Sequence, residues 1–346
     1  MSRITIVILG ILLALGASRA SAQTAENDNS AVYLYGGADR GERLIARARE
    51  EGSLTLYTSM APTESGLLAQ TFQQRYGVKV ALWRALSESV LQRTLTEARG
   101  RRRSVDVIET NATEVEALAR ERLVAQFDSP YLADLPDWAI PSHRRWFSDR
   151  ATLWVTGYNT TKLKREELPQ TLTGFLDSRW KGDLALEAAD FDWMHSVVAV
   201  MGEERGLNFF RKLSEFKPQM RKGHVLLAQL VAAGELTVSP TIYSSNVTSI
   251  QSKGGPIDFV IVEPLIGRPQ ALALAASAPH PHAALLFADF VFSPEGMKLL
   301  NDMGRTPSSR TQQTLLNGRK YFMVGPMQSA DSAQRWEKLW NELFLK

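Results

Sequence analysis

The chain has 346 residues, of which 44% are hydrophobic and 22% charged, with a formal net charge of +3 and no cysteine. Those proportions belong to a globular protein of one large or two medium domains rather than to a disordered, collagenous or disulfide-stapled one. The empty cysteine count excludes thiolate zinc sites, iron–sulfur clusters, cysteine nucleophiles and disulfides, and confines any metal to oxygen and imidazole ligands.

The first element is an address. Arg3 precedes the apolar run Ile4 to Leu15, and Ala20-Ser21-Ala22 follows as an A-x-A cleavage site. The run is about a dozen residues, short of the roughly 18 to 20 that cross a bilayer, so residues 1 to 22 are expected to be an export signal. Its removal takes Arg3 and Arg19 and no acid, leaving a net charge of about +1. A lipid tether at the cleavage point would need the absent cysteine, so a periplasmic protein without a stable membrane anchor is expected. Residues 23–31 are polar and are expected to be disordered. The basic cluster Arg99, Arg101, Arg102 and Arg103 has no interleaved aromatics and reads as a solvated turn, so no nucleic-acid partner is expected.

From Gly52 onward, strands alternate with helices. Leu54 to Tyr57 is a strand, and Pro62 and Glu64 open a helix that Gly77 ends. Val78 to Trp83 is the second strand, and a helix follows in which Ser89 and Gln92 have capping-box spacing, stopping at Gly100. Val105 to Glu109 is the third strand, and Thr113 and Glu116 form a second capping-box pattern. This order predicts a parallel, doubly wound sheet, whose ligands lie beyond the carboxyl ends of the strands. A Pro- and Trp-rich stretch, Asp128 to Trp146, wraps the surface, and Leu153 to Tyr158 is the next strand. A second series follows: strand Asp183 to Glu187, loop Ala189 to Trp193, helices Met194 to Glu203, Leu207 to Leu213 and Val225 to Ala233, and strand Leu236 to Ile242 with an edge or bulge at Pro240. Asp258 to Val262 is a strand, and helices His282 to Phe292 and Glu295 to Met303 are separated by Ser293-Pro294. Two α/β lobes fit this pattern better than one continuous sheet.

The sequence holds no G-x-S-x-G, H-E-x-x-H, G-x-x-x-x-G-K-[ST] or G-x-G-x-x-G. Asp190 and Asp192 are the one candidate pair for acid–base chemistry, and helix capping explains them equally well. A transport receptor is therefore expected and not an enzyme, the alternatives being a periplasmic enzyme built on that pair or a receptor that feeds a sensor.

Gly52 to Ser59, Asp106-Val107-Ile108, Gly157-Tyr158-Asn159-Thr160, Trp180 to Ala185, Ala232-Ala233-Gly234-Glu235, Lys253 to Asp258 and the tail Ala278 to Gly296 together resemble the type 2 periplasmic solute-binding proteins, in their iron(III) ABC-transporter branch. The resemblance implies a two-lobed α/β Venus-flytrap fold, each lobe a mixed, mostly parallel sheet flanked by helices, with the ligand in the interlobe cleft. Lobe 1 would comprise residues 32–152 plus about 266–315, and lobe 2 residues 153–265 plus about 316–346, hinged near Tyr158-Asn159 and Val262 to Gly267. It further implies a monomer that delivers solute to an ABC transporter permease, with no resident cofactor and with ferric ion or a ferric chelate as the cargo.

Ferric binders of this kind hold the metal by two adjacent tyrosines, a histidine and a glutamate. Those positions fall here on Tyr243-Ser244, near Ala61 and on Asn111, so one phenol, Tyr243, remains as a metal ligand. The iron either arrives as a chelate or gives way to an organic anion, a phosphorylated compound or a thiamine-like cation. Thr58, Ser59, Arg84, Asn111, Asn159, Asp192, Trp193, Tyr243 and Ser244 are placed on the cleft. Arg84 beside helix N-termini would favour an anion and Asp192 a cation. Plain alternatives stand beside them: Arg84 solvated, Trp193 in the core, Tyr243 packed at a strand end.

Overall fold

A computed structural model describes residues 29–346, so the export signal expected over residues 1 to 22 lies outside the described residues. The expected disorder of residues 23–31 does not hold at its far end. Ser30–Tyr33 is a short helix, α1, pinned because the buried Tyr33 hydroxyl donates to the Ala275 carbonyl (3.0 Å) and the Asn29 amide to Ala278 (3.2 Å).

The first half of the chain follows the predicted alternation: α2 (Arg40–Glu51), β1 (Ser53–Thr58), α3 (Pro62–Tyr76), β2 (Lys79–Arg84), α4 (Ser87–Arg99), β3 (Val107–Asn111), α5 (Ala112–Arg120) and β4 (Val124–Ala125). Strands β2, β1 and β3 run parallel. Gly52 and Gly77 end α2 and α3 in the left-handed region, which an L side chain would strain. Neither predicted capping box forms, because α4 and α5 begin earlier, at Ser87 and Ala112. Glu116 instead accepts from the Trp146 indole (3.1 Å), lies 2.8 Å from His143 Nε2 and pairs with Arg120.

The chain then runs through β5 (Phe147–Asn159), β6 (Ala185–Glu187), α6 (Phe191–Met201), α7 (Glu203–Glu215), β7 (Gln219–Arg221), α8 (His224–Ala232), β8 (Val238–Tyr243), α9 (Ser244–Gln251) and β9 (Ile257–Val260). It returns as β10 (Leu265–Ala275), α10 (Pro281–Phe292), α11 (Pro294–Asp302), β11 (Thr306–Pro307), β12 (Tyr321–Met323) and α12 (Pro326–Phe344). The sheet order β11-β5-β10-β3-β1-β2 is mixed, with more antiparallel pairing than the sequence suggests, since β5 and β10 traverse the molecule in opposite directions and β8 and β9 are antiparallel to β5. The bulge expected at Pro240 appears as a register shift between β5 and β8 at Val155 to Gly157.

Two main cores result. One gathers Leu56, Val107, Ile108, Phe147, Leu272 and Phe287; the other gathers Trp154, Trp193, Phe210, Ile266, Trp336 and Trp340. The crossings therefore lie between Phe147 and Trp154 on β5 and between Ile266 and Ala271 on β10. Tyr158 and Asn159, where a hinge is expected, are both buried, Tyr158 in the second core. Among the described residues no helix is long and apolar enough to cross a membrane.

Candidate functional site

Side chains alternate across a strand, so residues two apart share a face. On the crossing strands that face carries Arg150 and Thr152 from β5 and Arg268 and Gln270 from β10, in the register Gln270 opposite Arg150 and Arg268 opposite Thr152. These four side chains line a cavity of about 400 Å³ between the two cores. Arg305, just before β11, lines it too.

All three arginines are held by carboxylates. Arg268, 7% exposed, lies over the Trp154 ring (4.6 Å), 3.5 Å from both Asp190 and Asp192, and donates to the Tyr243 hydroxyl (3.1 Å). Arg150, 3% exposed, contacts Glu109 (2.7 Å) and Asp149 (2.6 Å). Arg305 joins the two lobes, bonding Glu64 of α3 on one side and Ser245 of α9 on the other. Yet the Nε–H of each of the three is buried without a hydrogen-bond partner. A donor left so costs roughly 1–3 kcal/mol.

Six helices begin at this cavity. The residues preceding α3, α4, α5, α6, α8 and α9 are Ala61, Leu86, Asn111, Asp190, Gly223 and Tyr243; all line it, and none supplies a side-chain cap. Helix N-termini carry partial positive charge and free N–H groups, so their convergence adds to the arginines.

On the second-lobe wall, single ligand atoms of Glu187, Asp190 and His224 lie within 4.8 Å of one another. Glu187 accepts from the backbone N–H groups of Ala189 and Gly223. His224 Nδ1 is 3.1 Å from the Thr241 carbonyl, an acceptor only, so Nδ1 carries a proton and Nε2 faces Asp190 at 3.2 Å. Its ring stacks on Tyr243 with centroids 3.5 Å apart. Burial holds Glu187 and Asp192 above the usual carboxylate range, with Asp190 reinforcing both, while His224 opposes the shift at Glu187 and Arg268 at Asp192. Burial pushes Asp149 up to about 7 despite Arg150 beside it, and Glu114 likewise up to about 7. It raises the Tyr243 phenol well above 10 against the pull of Arg268, so Tyr243 is a neutral phenol here.

Of the residues expected on the cleft, Ser59, Arg84, Asn111 and Tyr243 line the cavity. Thr58 lies beneath it, donating to Glu109 and accepting from the Met60 N–H. Asp192 is buried behind the wall as a partner of Arg268. Three expectations are corrected. The Asn159 amide is spent on the Val231 and Ala232 carbonyls at the end of α8; Trp193 packs edge-on to Phe210 in the second core; Ser244 is buried in the first turn of α9. Arg150, Arg268, Arg305, Glu187 and His224 also line the cavity and are not among the residues expected there from sequence. The available signal was an arginine inside an otherwise apolar strand, as in Leu265 to Ala275, where a charge is tolerated only if that face meets partners or a ligand.

Comparison with known proteins gives a family match over residues 104–323, to the family described as "Bacterial extracellular solute-binding protein". A curated relative, the Fe(3+)-binding periplasmic protein of Serratia marcescens, is 29% identical over 168 residues, which are 48% of this chain and 49% of that protein, so the match spans about half of each. Iron-bound HitA from Pseudomonas aeruginosa superposes with a TM-score of 0.72 at 20% identity, covering 83% of this chain and 98% of that one. AfuA from Actinobacillus pleuropneumoniae, with fructose-6-phosphate bound, does so with a TM-score of 0.75 at 20% identity, covering 85% and 99%. These likenesses are of fold: α/β, in the periplasmic-binding-protein form.

Proposed function

The chain belongs to the bacterial extracellular solute-binding proteins, and from that premise we propose that it is the solute-capturing component of an ABC import system whose cargo is a small organic anion bearing a phosphate or carboxylate. The observation that carries this reading is the set of three arginines, Arg150, Arg268 and Arg305, lining one cavity at which six helices without side-chain caps begin. A volume of about 400 Å³ falls within the ~300–1,000 Å³ range of organic-ligand sites and far exceeds a bare metal ion. The protein acts in the periplasm after removal of its export signal, alone and without catalysis, and hands its solute to a permease.

Capture works by closure. The cavity floor consists of the strands on which the lobes pivot, and its walls come from opposite lobes. A solute that touches both walls binds the closed form more tightly and shifts the population toward it.

Free ferric ion fits less well, because the pair of phenols is reduced to Tyr243, whose hydroxyl accepts from the Arg268 guanidinium. A ferric chelate is the second reading, favoured by the Glu187, Asp190 and His224 group. Thermal-shift screening of the purified protein against organophosphates, carboxylates, ferric citrate and free ferric ion tests the choice, since a bound solute stabilises by mass action. Stabilisation by iron-free organic anions is expected. Stabilisation by ferric ion alone, with none by any anion, would overturn the proposal.

A further inference from the structure

The cavity is chemically divided, and the division sets what else the solute carries. On the first-lobe wall and floor stand Arg84, Arg150 and Arg305 with the N-termini of α3, α4 and α5. The second-lobe wall presents buried acceptors: Glu187 is 4% exposed and Asp190 1% exposed, both lining the cavity. Asp190 Oδ2 is used by the Trp154 indole (3.0 Å), but Oδ1, within ion-pair distance of His224 and Arg268, has no hydrogen bond to either. Each Glu187 oxygen accepts one backbone N–H, while a carboxylate oxygen has room for two donors. Behind them Asp192 brings a third carboxylate to the one buried guanidinium of this wall, Arg268; Lys222 is exposed on the rim.

From this geometry, and resting on the anion reading above, we infer that Glu187, Asp190 and His224 form a donor-binding pole, so that the solute is two-ended: an anionic group on the arginines and a hydrogen-bond-donating group, an amine or hydroxyls, on the carboxylates. A buried acceptor without a donor costs free energy that a donor-bearing solute recovers and a donor-free one does not. Selection of this kind would distinguish the solute from simple phosphates and carboxylates that fit the arginines equally well.

A matched series tests it: calorimetric titration of the purified protein with ethyl phosphate, 2-hydroxyethyl phosphate and 2-aminoethyl phosphate. At least one of the latter two should bind about tenfold tighter than ethyl phosphate, the value for one well-made buried hydrogen bond, and which one does so identifies the donor. Asp190→Asn or Glu187→Gln should bring the ratio to within about twofold, and the second variant serves if the first does not fold. Equal affinities across the series in the unaltered protein would overturn the inference while leaving the anion reading standing. So would tight binding of Mn²⁺ or Fe³⁺ alone that Asp190→Asn abolishes, since the cluster would then serve a metal. Failure of all three compounds and of inorganic phosphate to bind would remove the anion reading and this inference with it.

Discussion

Arg268 meets Tyr243, Asp190, Asp192 and the Trp154 ring from a site 7% exposed. A buried cation so placed compensates charges that would otherwise stand alone, and its removal exposes that debt. Arg268→Met should lower unfolding stability by roughly 3 kcal/mol, in the range for breaking a buried ion pair, as read from urea denaturation. It should also abolish the ligand-induced thermal shift. Glu114 gives a different test. Its carboxyl, raised by burial from 4.5 to about 7 although Arg268 pulls it down, binds a proton in the folded state that the unfolded chain has already released. Its contribution to stability is therefore fully present below about pH 4.5 and is lost as pH rises through about 7. Glu114→Gln should flatten that decline, so its melting temperature should gain on the parent at pH 8 relative to pH 5. An equal offset at both pH values would refute the assignment.

The elements were unevenly legible. Strands β1 to β3 and the helices between them follow from apolar spacing with glycine stops, β1 and β3 being largely buried and β2 an exposed edge. The apolar pattern marks β5 only from Leu153, six residues after its start at Phe147, and does not mark β10. In both, polar residues interrupt the apolar run, Ser148, Asp149, Arg150 and Thr152 in one and Arg268 and Gln270 in the other, and of these Arg150, Thr152, Arg268 and Gln270 line the cavity floor. Residues that blurred the strand pattern thus marked the site. The helices at the cavity begin without side-chain caps, even where the preceding residue is a favoured N-cap type, as at Asn111 and Asp190. Leu86, extended and 43% exposed before α4, could be given one. Leu86→Asp should stabilise the ligand-free protein by about 1 kcal/mol while placing an acid on the cavity rim. Anion affinity should fall roughly threefold to tenfold, an effect that weakens with added salt. A variant that gained stability without losing affinity would show that this helix terminus does not serve the ligand.

At the scale of the whole molecule, the two-lobed plan was readable from the order of segments, whereas the pivot was not, because pairing between strands distant in sequence decides it. The crossings on β5 and β10 bring Arg150 and Arg268 to the axis, and Arg305 ties α3 of one lobe to α9 of the other. On α12, Trp336 and Trp340 pack in the second core, while Arg120 of α5 reaches Asp331 (2.5 Å) and the Met327 carbonyl (3.0 Å). The cavity lining and the contacts between lobes thus share Arg305, and where the proposed anion sits is the point to test. Co-crystallisation with arsenate, a phosphate isostere with its own anomalous signal, locates it directly. An anomalous peak is expected between the lobes, within hydrogen-bonding distance of the guanidinium group of Arg150 or Arg305. A peak confined to the outer surface, or none in the cavity at an arsenate concentration that stabilises the protein, would contradict it.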